Sequence, residues 1–254
     1  MHPQTTVDRA RALSAEGWHD HEVAQIVGVP LRTVRNWRTG KRRSPGSDRR
    51  RTRRCPRCDG VPLNEPADSY LLGLYLGDGC LVRQRKGVYL LSIACCDAWP
   101  GLITAAKDAT RGVMPANAVF ARQSHGMTEV KSCSKHWPCL FPQHGPGTKH
   151  TRKIELARWQ QVIVDRYPGD FARGLIHSDG CRSINRVRRP LKDGDRWYEY
   201  PRYQFSNKSL DILALCCKAL DRLGVEWRFA RWDVISVAKK DAVARLDAFV
   251  GPKY

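Results

Sequence analysis

The chain has 254 residues, with 44 Lys and Arg against 25 Asp and Glu, which gives a formal net charge of +19. A hydrophobic content of 42% with 9% aromatic residues excludes wholesale disorder, and the length suffices for one substantial core plus a small module. Such a charge calls for a polyanionic partner, and without an apolar run of about 18 residues nucleic acid is a better candidate than a membrane.

A helix-turn-helix is predicted over residues 20–38 (DHEVAQIVGVPLRTVRNWR), preceded by a supporting helix over 7–15. Gly28 suits the sharp turn, and Pro30 opens the second helix, where its missing N–H is tolerated. The apolar contacts between the helices would come from Val23, Val27, Val29, Val34 and Trp37. The second helix would enter the major groove and present Arg32, Thr33, Arg35, Asn36 and Arg38. We assign residues 1–40 to this DNA-binding domain, the alternative being a helical hairpin that only packs on the rest of the chain.

A strongly basic linker is predicted over residues 41–66. Between positions 32 and 57, twelve Lys or Arg stand against Asp48 alone, a net of +11 in 26 residues. Ser-Pro-Gly-Ser at 44–47 indicates an extended segment, and arginine-rich segments of this kind often order on nucleic acid. We predict phosphate contacts from Lys41, Arg42 and Arg43, the alternative being a solvated charge run.

Ten cysteines fit a reducing compartment better than a disulfide framework. The first twenty residues lack the apolar stretch of a secretory signal, so we expect a cytoplasmic protein. Four cysteines fall in apolar strand or helix stretches and are expected to be small buried hydrophobes: Cys95, Cys96, Cys216 and Cys217.

The Cys55-Pro-Arg-Cys58 sequence differs from these, because two thiolates separated by two residues form half of a tetrahedral zinc site. No second Cys-x-x-Cys follows at a suitable spacing, so further ligands would come from a distant segment. The irregular stretch 133–150 offers Cys133, His136, Cys139, His144 and His150. Zn²⁺ held by Cys55 and Cys58 is therefore a hypothesis, with polar loop residues near DNA as the alternative.

Two nine-residue stretches, 71–79 (LLGLYLGDG) and 172–180 (ARGLIHSDG), repeat one pattern 101 positions apart. Each is an apolar run with small residues four apart, which share a helix face and allow two helices to approach closely. These small residues are Gly73 and Gly77 in the first copy and Gly174 and Ser178 in the second.

Each copy ends in Asp-Gly, so close packing would bring Asp78 and Asp179 together at one end of the helix pair. Converging carboxylates beside a basic surface predict a divalent metal ion held against a phosphodiester. The alternative for each copy is a common helix C-cap, in which the glycine supplies a positive φ.

These stretches resemble the signature of the LAGLIDADG homing endonucleases, in the single-chain form that carries both copies. Each motif is followed in the same order by a strand, at 89–95 and 203–207, and by a helix, from 101 and over 209–223. This internal duplication extends the similarity to about residues 67–254. Leu76 and His177 depart from the family pattern, which has an acidic residue two positions before the last Asp.

The resemblance implies an α+β fold in which two pseudo-symmetric αββαββα repeats, 67–165 and 166–254, form a saddle over DNA. It also implies sequence-specific binding of double-stranded DNA and Mg²⁺-dependent phosphodiester hydrolysis, one strand per half. Asp78 and Asp179, the family's metal ligands, would hold Mg²⁺ ions that activate an attacking water.

Further site residues follow from laying the halves together. A gap-free alignment of 129–136 (EVKSCSKH) with 233–240 (DVISVAKK) pairs Lys135 with Lys239 as catalytic candidates that stabilise developing negative charge, or as solvated surface charges. Asp97 and Asn207 pair as candidates for positioning water. DNA contacts are expected from Arg83, Arg85, Lys86, Arg182, Arg186, Arg188 and Arg189.

A transcription regulator on the same fold is the principal alternative, since it would bind specifically and cut nothing. The added helix-turn-helix favours the regulator, whereas the two retained aspartates favour the nuclease. RNA binding or splicing assistance is a third option. Because the duplication supplies its own pseudo-symmetry, we expect a monomer without membrane attachment.

Overall fold

The computed structural model describes residues 2–40, 55–191, 194–250 and 253. The chain divides into two compact units, 1–54 and 55–254. Within the described ranges, every helix falls short of the length and apolar character needed to cross a bilayer. The predicted phosphate contacts Lys41, Arg42 and Arg43 lie outside the described residues.

The first unit contains helices α1 (Gln4–Ala15), α2 (Asp20–Val27) and α3 (Leu31–Arg38). Gly28 follows α2 in the left-handed region at φ 67°, and Pro30 precedes α3 with φ −60°. All five apolar residues predicted between the helices lie in or against the core of this unit, which also contains Val7, Ala10 and Ala24. Its function as a DNA-reading helix-turn-helix stays a prediction.

The second unit repeats one order of elements. The first copy consists of α4 (Glu65–Leu76), β1 (Gly79–Arg83), β2 (Tyr89–Cys96), α5 (Pro100–Val113), β3 (Val119–Ser124) and β4 (Met127–Ser134). Short helices α6 (Trp137–Leu140) and α7 (Arg158–Arg166) lie between the copies. The second copy consists of α8 (Pro168–Asp179), β5 (Gly180–Leu191), β6 (Gly194–Ser206), α9 (Leu210–Arg222), β7 (Arg228–Arg231), β8 (Val234–Val237) and α10 (Lys240–Asp247).

Each copy forms a four-stranded antiparallel sheet with the same strand order, β1-β2-β4-β3 in the first and β5-β6-β8-β7 in the second. The sheets and helices share one hydrophobic core that includes residues of both motif helices. The second unit is thus an α+β structure with an internal duplication.

The motif helices α4 and α8 pack backbone to backbone. A Cβ placed on Gly73 would lie 2.6 Å from the carbonyl oxygen of Phe171, and one on Gly174 would overlap the carbonyl oxygen of Tyr70. Glycine lowers helix propensity by about 1 kcal/mol, so the packing it permits must offset that cost. The close approach expected from the small residues is therefore present.

The pairing of the inner strands differs from the gap-free alignment of the halves. Counted from the motif glycines, Gly79 pairs with Ile93, which pairs with Val130 of β4. In the second copy Gly180 pairs with Phe205, which pairs with Ile235 of β8. Val130 therefore corresponds to Ile235, whereas the sequence alignment paired it with Val234, so the alignment is displaced by one residue along these strands.

The cysteines in apolar stretches behave as expected with one exception. Cys95, Cys216 and Cys217 are buried, but Cys96 is exposed. The prediction for Cys96 is wrong because successive residues of a strand point to opposite faces, and Cys95 takes the core face of β2.

Residues 55–66, predicted to be part of the linker, belong to the second compact unit. Cys55 is fully buried, the Cys58 Sγ lies 3.3 Å from the Cys139 Sγ, and the Arg57 guanidinium lies 4.3 Å from the centre of the Trp159 ring. These contacts attach the segment to the folded unit.

Candidate nuclease site

The two motif aspartates meet at the end of the α4–α8 pair. A Cβ placed on Gly77 would lie 3.1 Å from the Asp179 Oδ2, so the second carboxylate lies beside the residue that precedes Asp78. The negative charge of Asp78 acts on Asp179 directly and contributes to its raised pKa, after the larger effect of burial. Close helix packing thus produces a pair of interacting carboxylates.

The Asp-Gly pairs are not left-handed helix caps. Gly79 and Gly180 both lack a positive φ. A Cβ on Gly79 would collide with the Cα of Tyr75, and one on Gly180 would lie 2.7 Å from the Cα of Ile176, the equivalent residue of the other half. Glycine is required at both positions because each β-strand begins in contact with the last turn of the helix before it. The alternative interpretation of Asp-Gly as a helix C-cap with a positive φ is therefore excluded.

Lys149 closes the end of the first motif helix. Its ammonium donates to the carbonyl oxygens of Tyr75 at 2.7 Å and Gly79 at 2.9 Å, and also to that of Gly77. Burial lowers the pKa of Lys149 to about 8, against the opposing effect of the nearby Asp179 and Asp78 carboxylates. A cation is therefore fixed next to both aspartates.

Lys253 has the corresponding position in the second half. Its Nζ lies 3.5 Å from the carbonyl oxygen of Ser178, the residue before Asp179, as Gly77 is the residue before Asp78. Burial lowers the pKa of Lys253, whereas Asp78 and Asp179 act to raise it. The two lysines thus repeat the internal symmetry of the aspartates.

Asn207 contacts the site, and Asp97 is engaged elsewhere. The Asn207 side-chain amide donates to the Asp179 Oδ2 at 2.7 Å. Asp97 accepts from Thr128 at 2.6 Å and from Gln123 at 3.0 Å, which lowers its pKa. Of this pair of candidates, only Asn207 has a described contact with a motif aspartate.

Both aspartates have raised pKa values, for which burial is the principal cause. The Asp78 side chain nevertheless remains exposed to solvent, whereas Asp179 is half-buried. Lys149 and Lys253 oppose the effect of burial on both. The site therefore combines two carboxylates with two ammonium groups at a solvent-accessible position.

A cleft of about 700 Å³ opens over this end of the helix pair. Its lining includes Asp179, Asn207 and Lys149. Further cationic or imidazole side chains line the same cleft: His144, His150, Arg152, Lys208 and Arg231. The Asp233 carboxylate, which pairs with Arg231, also lines the cleft, and the cationic side chains of the lining outnumber the carboxylates.

The residues at the helix ends fit a divalent cation that prefers oxygen ligands. Asp78 and Asp179 supply carboxylate oxygens, and the exposure of Asp78 leaves room for the water molecules that Mg²⁺ usually retains. The Asn207 amide orients one carboxylate oxygen of Asp179 and leaves the other available.

The lysines chosen from sequence lie away from the cleft lining. Lys135 is exposed in the turn after β4. Lys239 is exposed before α10, where it forms an ion pair with Glu226 at 2.6 Å. Their catalytic role stays a prediction.

The arginines predicted to contact DNA have different environments. Arg83 and Arg85 are exposed beside the β1–β2 turn. On the longer β5–β6 hairpin, Arg186 pairs with Glu199 at 3.2 Å and stacks on the exposed Trp197, and Arg188 pairs with Asp195. Lys86 and Arg189 are also exposed.

Arg182 differs from the others. Its guanidinium binds both carboxylate oxygens of Asp247, at 2.7 and 2.9 Å, and the Tyr203 hydroxyl donates to the same carboxylate. This network joins β5 and β6 to α10 and gives Arg182 a structural role.

On α3, Arg32, Arg35 and Arg38 are exposed, whereas Thr33 and Asn36 are half-buried. Arg35 and Arg38 form ion pairs with Asp20, at 3.5 and 3.0 Å. The exposed surface of this helix is basic, as a DNA-reading helix requires.

The zinc candidates lie in three different environments. Ligand atoms of Cys55, Cys58, His136 and Cys139 all lie within 4.8 Å of one another. Cys133 is exposed at the end of β4, outside this group. His144 and His150 line the cleft beside the aspartates instead.

Sequence reasoning missed Lys149 and Lys253. Both are separated from the residues they contact by at least 70 positions, and Lys149 lies in a stretch interpreted only for its cysteines and histidines. A signal was present, because the lysines are 104 positions apart, close to the 101 that separate the aspartates.

No protein-family profile and no curated protein sequence matches the chain. Solved structures with a similar arrangement include the homing endonuclease I-DmoI in complex with DNA and Mn, at 16% identity and a TM-score of 0.49, covering 75% of this chain and 98% of that one. The LAGLIDADG meganuclease I-AabMI bound to uncleaved DNA has 12% identity and a TM-score of 0.45, covering 72% of this chain and 82% of that one.

Proposed function

We propose that this protein binds double-stranded DNA in a sequence-specific manner and hydrolyses its phosphodiester bonds with Mg²⁺ or a similar divalent ion. The observation that carries the proposal is the interacting pair of Asp78 and Asp179, held at the end of two closely packed helices beside a cationic cleft. The net charge of +19 supports a nucleic acid as the substrate.

Asp78 and Asp179 are the residues that would hold the metal ions. Bound Mg²⁺ would polarise the scissile phosphate and lower the pKa of an attacking water. Asn207 positions the Asp179 carboxylate through its hydrogen bond to Oδ2. These residues already lie together in the protein, so little reorganisation is required when DNA binds.

Lys149 and Lys253 are placed to stabilise the negative charge that develops on the phosphate. Each ammonium lies beside the carbonyl group that precedes a motif aspartate. A fixed cation in a partly desolvated site stabilises a developing anion more strongly than one in water. Each half therefore has one aspartate and one lysine, and we propose that each half cuts one strand.

DNA binding itself would use the exposed basic surfaces. The β5–β6 hairpin extends well beyond its pairing with β8, which involves only Tyr203 to Ser206, and a two-stranded ribbon fits the major groove. The first unit, with the basic face of α3, would add a second contact with DNA.

One observation favours the regulator as a second candidate. Lys149 already donates to three carbonyl oxygens at the end of α4, and with Lys253 it compensates the charge of both aspartates. A site whose negative charge is balanced by lysines can bind DNA without a metal ion.

Selection of bound duplexes from a random library, followed by incubation of the winning site with Mg²⁺, tests both candidates. We expect enrichment of one sequence and Mg²⁺-dependent cuts in both strands. Enrichment with intact DNA in Mg²⁺ and in Mn²⁺ would favour the regulator. Failure to enrich any duplex would contradict both proposals.

A further inference from the structure

We propose that Cys55, Cys58, His136 and Cys139 form a structural zinc site that attaches residues 55–60 to the second unit. The site is separate from the aspartates, and it does not depend on the proposed nuclease activity. Three thiolates and one imidazole are the ligands of a common class of closed, tetrahedral zinc centres.

The distances fit one ion. All four ligand atoms lie within 4.8 Å of one another, with Cys58 Sγ 3.3 Å from Cys139 Sγ and Cys139 Sγ 3.9 Å from His136 Nδ1. Around a zinc ion with Zn–S bonds of about 2.3 Å and Zn–N bonds of about 2.0 Å, tetrahedral ligand atoms are roughly 3.5–3.8 Å apart. Small shifts of the four ligand atoms are therefore enough to complete tetrahedral coordination of one zinc ion.

The backbone around Cys55 has the form of a metal-binding turn. The Cys55 side chain is fully buried, and its backbone N–H donates to the Asp59 carboxylate at 2.9 Å. Gly60 then turns the chain in the left-handed region at φ 64°.

The other two ligands come from a segment with its own anchor. His136 precedes α6 and Cys139 lies within it, a helix of only four residues. The flanking Trp137 and Leu140 are buried in the core, and the Trp137 indole N–H donates to the Ser132 carbonyl oxygen at 3.0 Å. The core thus fixes α6, whereas residues 55–60 form a turn without helix or strand.

A metal ion would supply the stability that this turn cannot obtain from its own packing. Binding converts three thiols to thiolates, releases three protons to solvent and involves no change of oxidation state. His136 would bind through Nδ1 and keep its proton on Nε2. The ion would hold the chain at the point where the basic stretch 41–54 joins the second unit, nine residues before the Asn64 cap of α4.

The first test is the metal content of the full-length protein, purified in reductant without chelator. We expect about one zinc ion per chain by mass spectrometry of metals. Replacement by Co²⁺ should give the visible bands of a tetrahedral ion and a thiolate charge-transfer band. A folded protein that contains no zinc and takes up neither ion would overturn the proposal.

Variants then assign the ligands. Cys58→Ser and Cys139→Ser should lose the metal, whereas Cys133→Ser, which changes an exposed cysteine outside the group, should keep it. His136→Cys should retain Co²⁺ and strengthen the charge-transfer band, because a fourth thiolate replaces the imidazole. Full retention of zinc by the two serine variants, or an unchanged Co²⁺ spectrum for His136→Cys, would contradict the assignment.

Chelation of the wild-type protein keeps the test decisive if a serine variant fails to fold. Removal of zinc should lower the melting temperature by about 5 °C or more, and Zn²⁺ but not Mg²⁺ should restore it. A Cys58–Cys139 disulfide with no metal in the freshly purified protein would instead identify these residues as a redox pair and refute the zinc site.

Discussion

The two halves of the second unit share a backbone design but differ in how they hold charge. In the first half, Lys149 donates to three carbonyl oxygens and Asp78 stays exposed. In the second half, Lys253 has one longer contact, at 3.5 Å, and the half-buried Asp179 is held by Asn207. The packing of the helix ends is therefore nearly symmetric, whereas their electrostatic environment is not.

The hairpins that follow the motif helices diverge even more. β1 and β2 have 5 and 8 residues, whereas β5 and β6 have 12 and 13 and carry exposed arginine and aromatic side chains. Few residue types fit where two helix ends are in backbone contact, whereas many residue types fit on a solvent-exposed two-stranded ribbon. The shared centre is therefore constrained by sterics, whereas each arm is free to adapt to its own part of a ligand.

The largest expected effect on DNA cleavage comes from replacing the two motif aspartates, which both halves share. Asp78→Asn combined with Asp179→Asn should reduce DNA cleavage by about 10³-fold or more, roughly 4 kcal/mol of transition-state stabilisation, because neither motif carboxylate remains to hold a metal ion. Affinity should not fall, since two negative charges are removed. Mg²⁺-dependent cutting of the selected duplex measures the first effect and a binding titration the second.

Asp108→Asn is the matched control, because that exposed aspartate on α5 pairs only with Arg111 among the described ion pairs. It should cut like the wild type. Undiminished cutting by the double variant would refute the assignment of the aspartates.

The next largest effect is on stability, and it comes from disrupting the backbone contact between α4 and α8. Gly174→Val should destabilise the protein by about 3 kcal/mol or more, because its side chain would have to occupy the position of the Tyr70 carbonyl oxygen. Gly169→Ala, on the same helix, would place a Cβ 3.7 Å from the Phe249 ring, an ordinary contact. Urea unfolding should separate the two variants, and equal stabilities would show that α4 and α8 are not in backbone contact.

The symmetric elements were predictable because their signal is local and occurs twice. The strand expected at 89–95 is Tyr89–Cys96, and the helix expected over 209–223 is Leu210–Arg222. Hydrophobic periodicity and small residues four apart determine these elements within one segment. The duplication then provides an independent check within the same chain.

The site was predictable only in part, because its cations come from distant loops. Asp78 and Asp179 follow from the motif, but Lys149 and Lys253 reach them from irregular segments whose path no periodicity indicates. Half of the zinc group was evident from Cys55 and Cys58. The other half required the fold, although His136 and Cys139 repeat the same spacing of two intervening residues.

Because Lys149 and Lys253 differ in their contacts, their removal should affect the cutting of the two DNA strands to different extents. Lys149→Met should slow the nicking of one strand by about 10²-fold, since it removes a fixed cation beside the scissile phosphate. Lys253→Met should slow the other strand less, because its ammonium has the weaker contact. A duplex labelled separately at each 5′ end measures both rates.

Lys153→Met is the control for these substitutions, because that exposed lysine pairs with Glu155 at 3.3 Å. It should leave both rates unchanged. Lys135→Met compares the position chosen from sequence with the one chosen from structure. A larger loss for Lys135→Met than for Lys149→Met would show that the sequence alignment identified the catalytic lysine after all.

A smaller effect should distinguish the two arms in DNA binding. Arg83→Ala with Arg85→Ala should reduce the salt dependence of affinity by about one unit of slope for each phosphate that is no longer neutralised. Arg186→Ala with Arg188→Ala should reduce it less, because each arginine must first exchange a carboxylate partner for phosphate. Titrations at several salt concentrations measure the slopes. Slopes equal to that of the wild type for both double variants would exclude both arms from the interface.

The smallest effect is a pH dependence of stability that arises from a buried carboxyl group in the first half alone. Asp68 is buried in α4, whereas the equivalent position of α8 is Gly169. Burial raises the pKa of Asp68 to about 7, with Glu65 adding to the increase and Arg57 opposing it. The folded state thus holds a proton that the unfolded chain releases near pH 4, so this group makes the protein less stable as the pH rises toward 7.

Asp68→Asn removes that titration without changing the shape of the side chain. Relative to wild type, its free energy of unfolding should rise by roughly 2 to 3 kcal/mol between pH 5 and pH 8. Asp108→Asn should show no such trend, because its carboxylate is exposed. Chemical denaturation of all three proteins at both pH values gives the differences. Parallel curves for wild type and Asp68→Asn would mean that Asp68 is ionised in the fold, and that the first motif helix tolerates a buried charge that the second avoids.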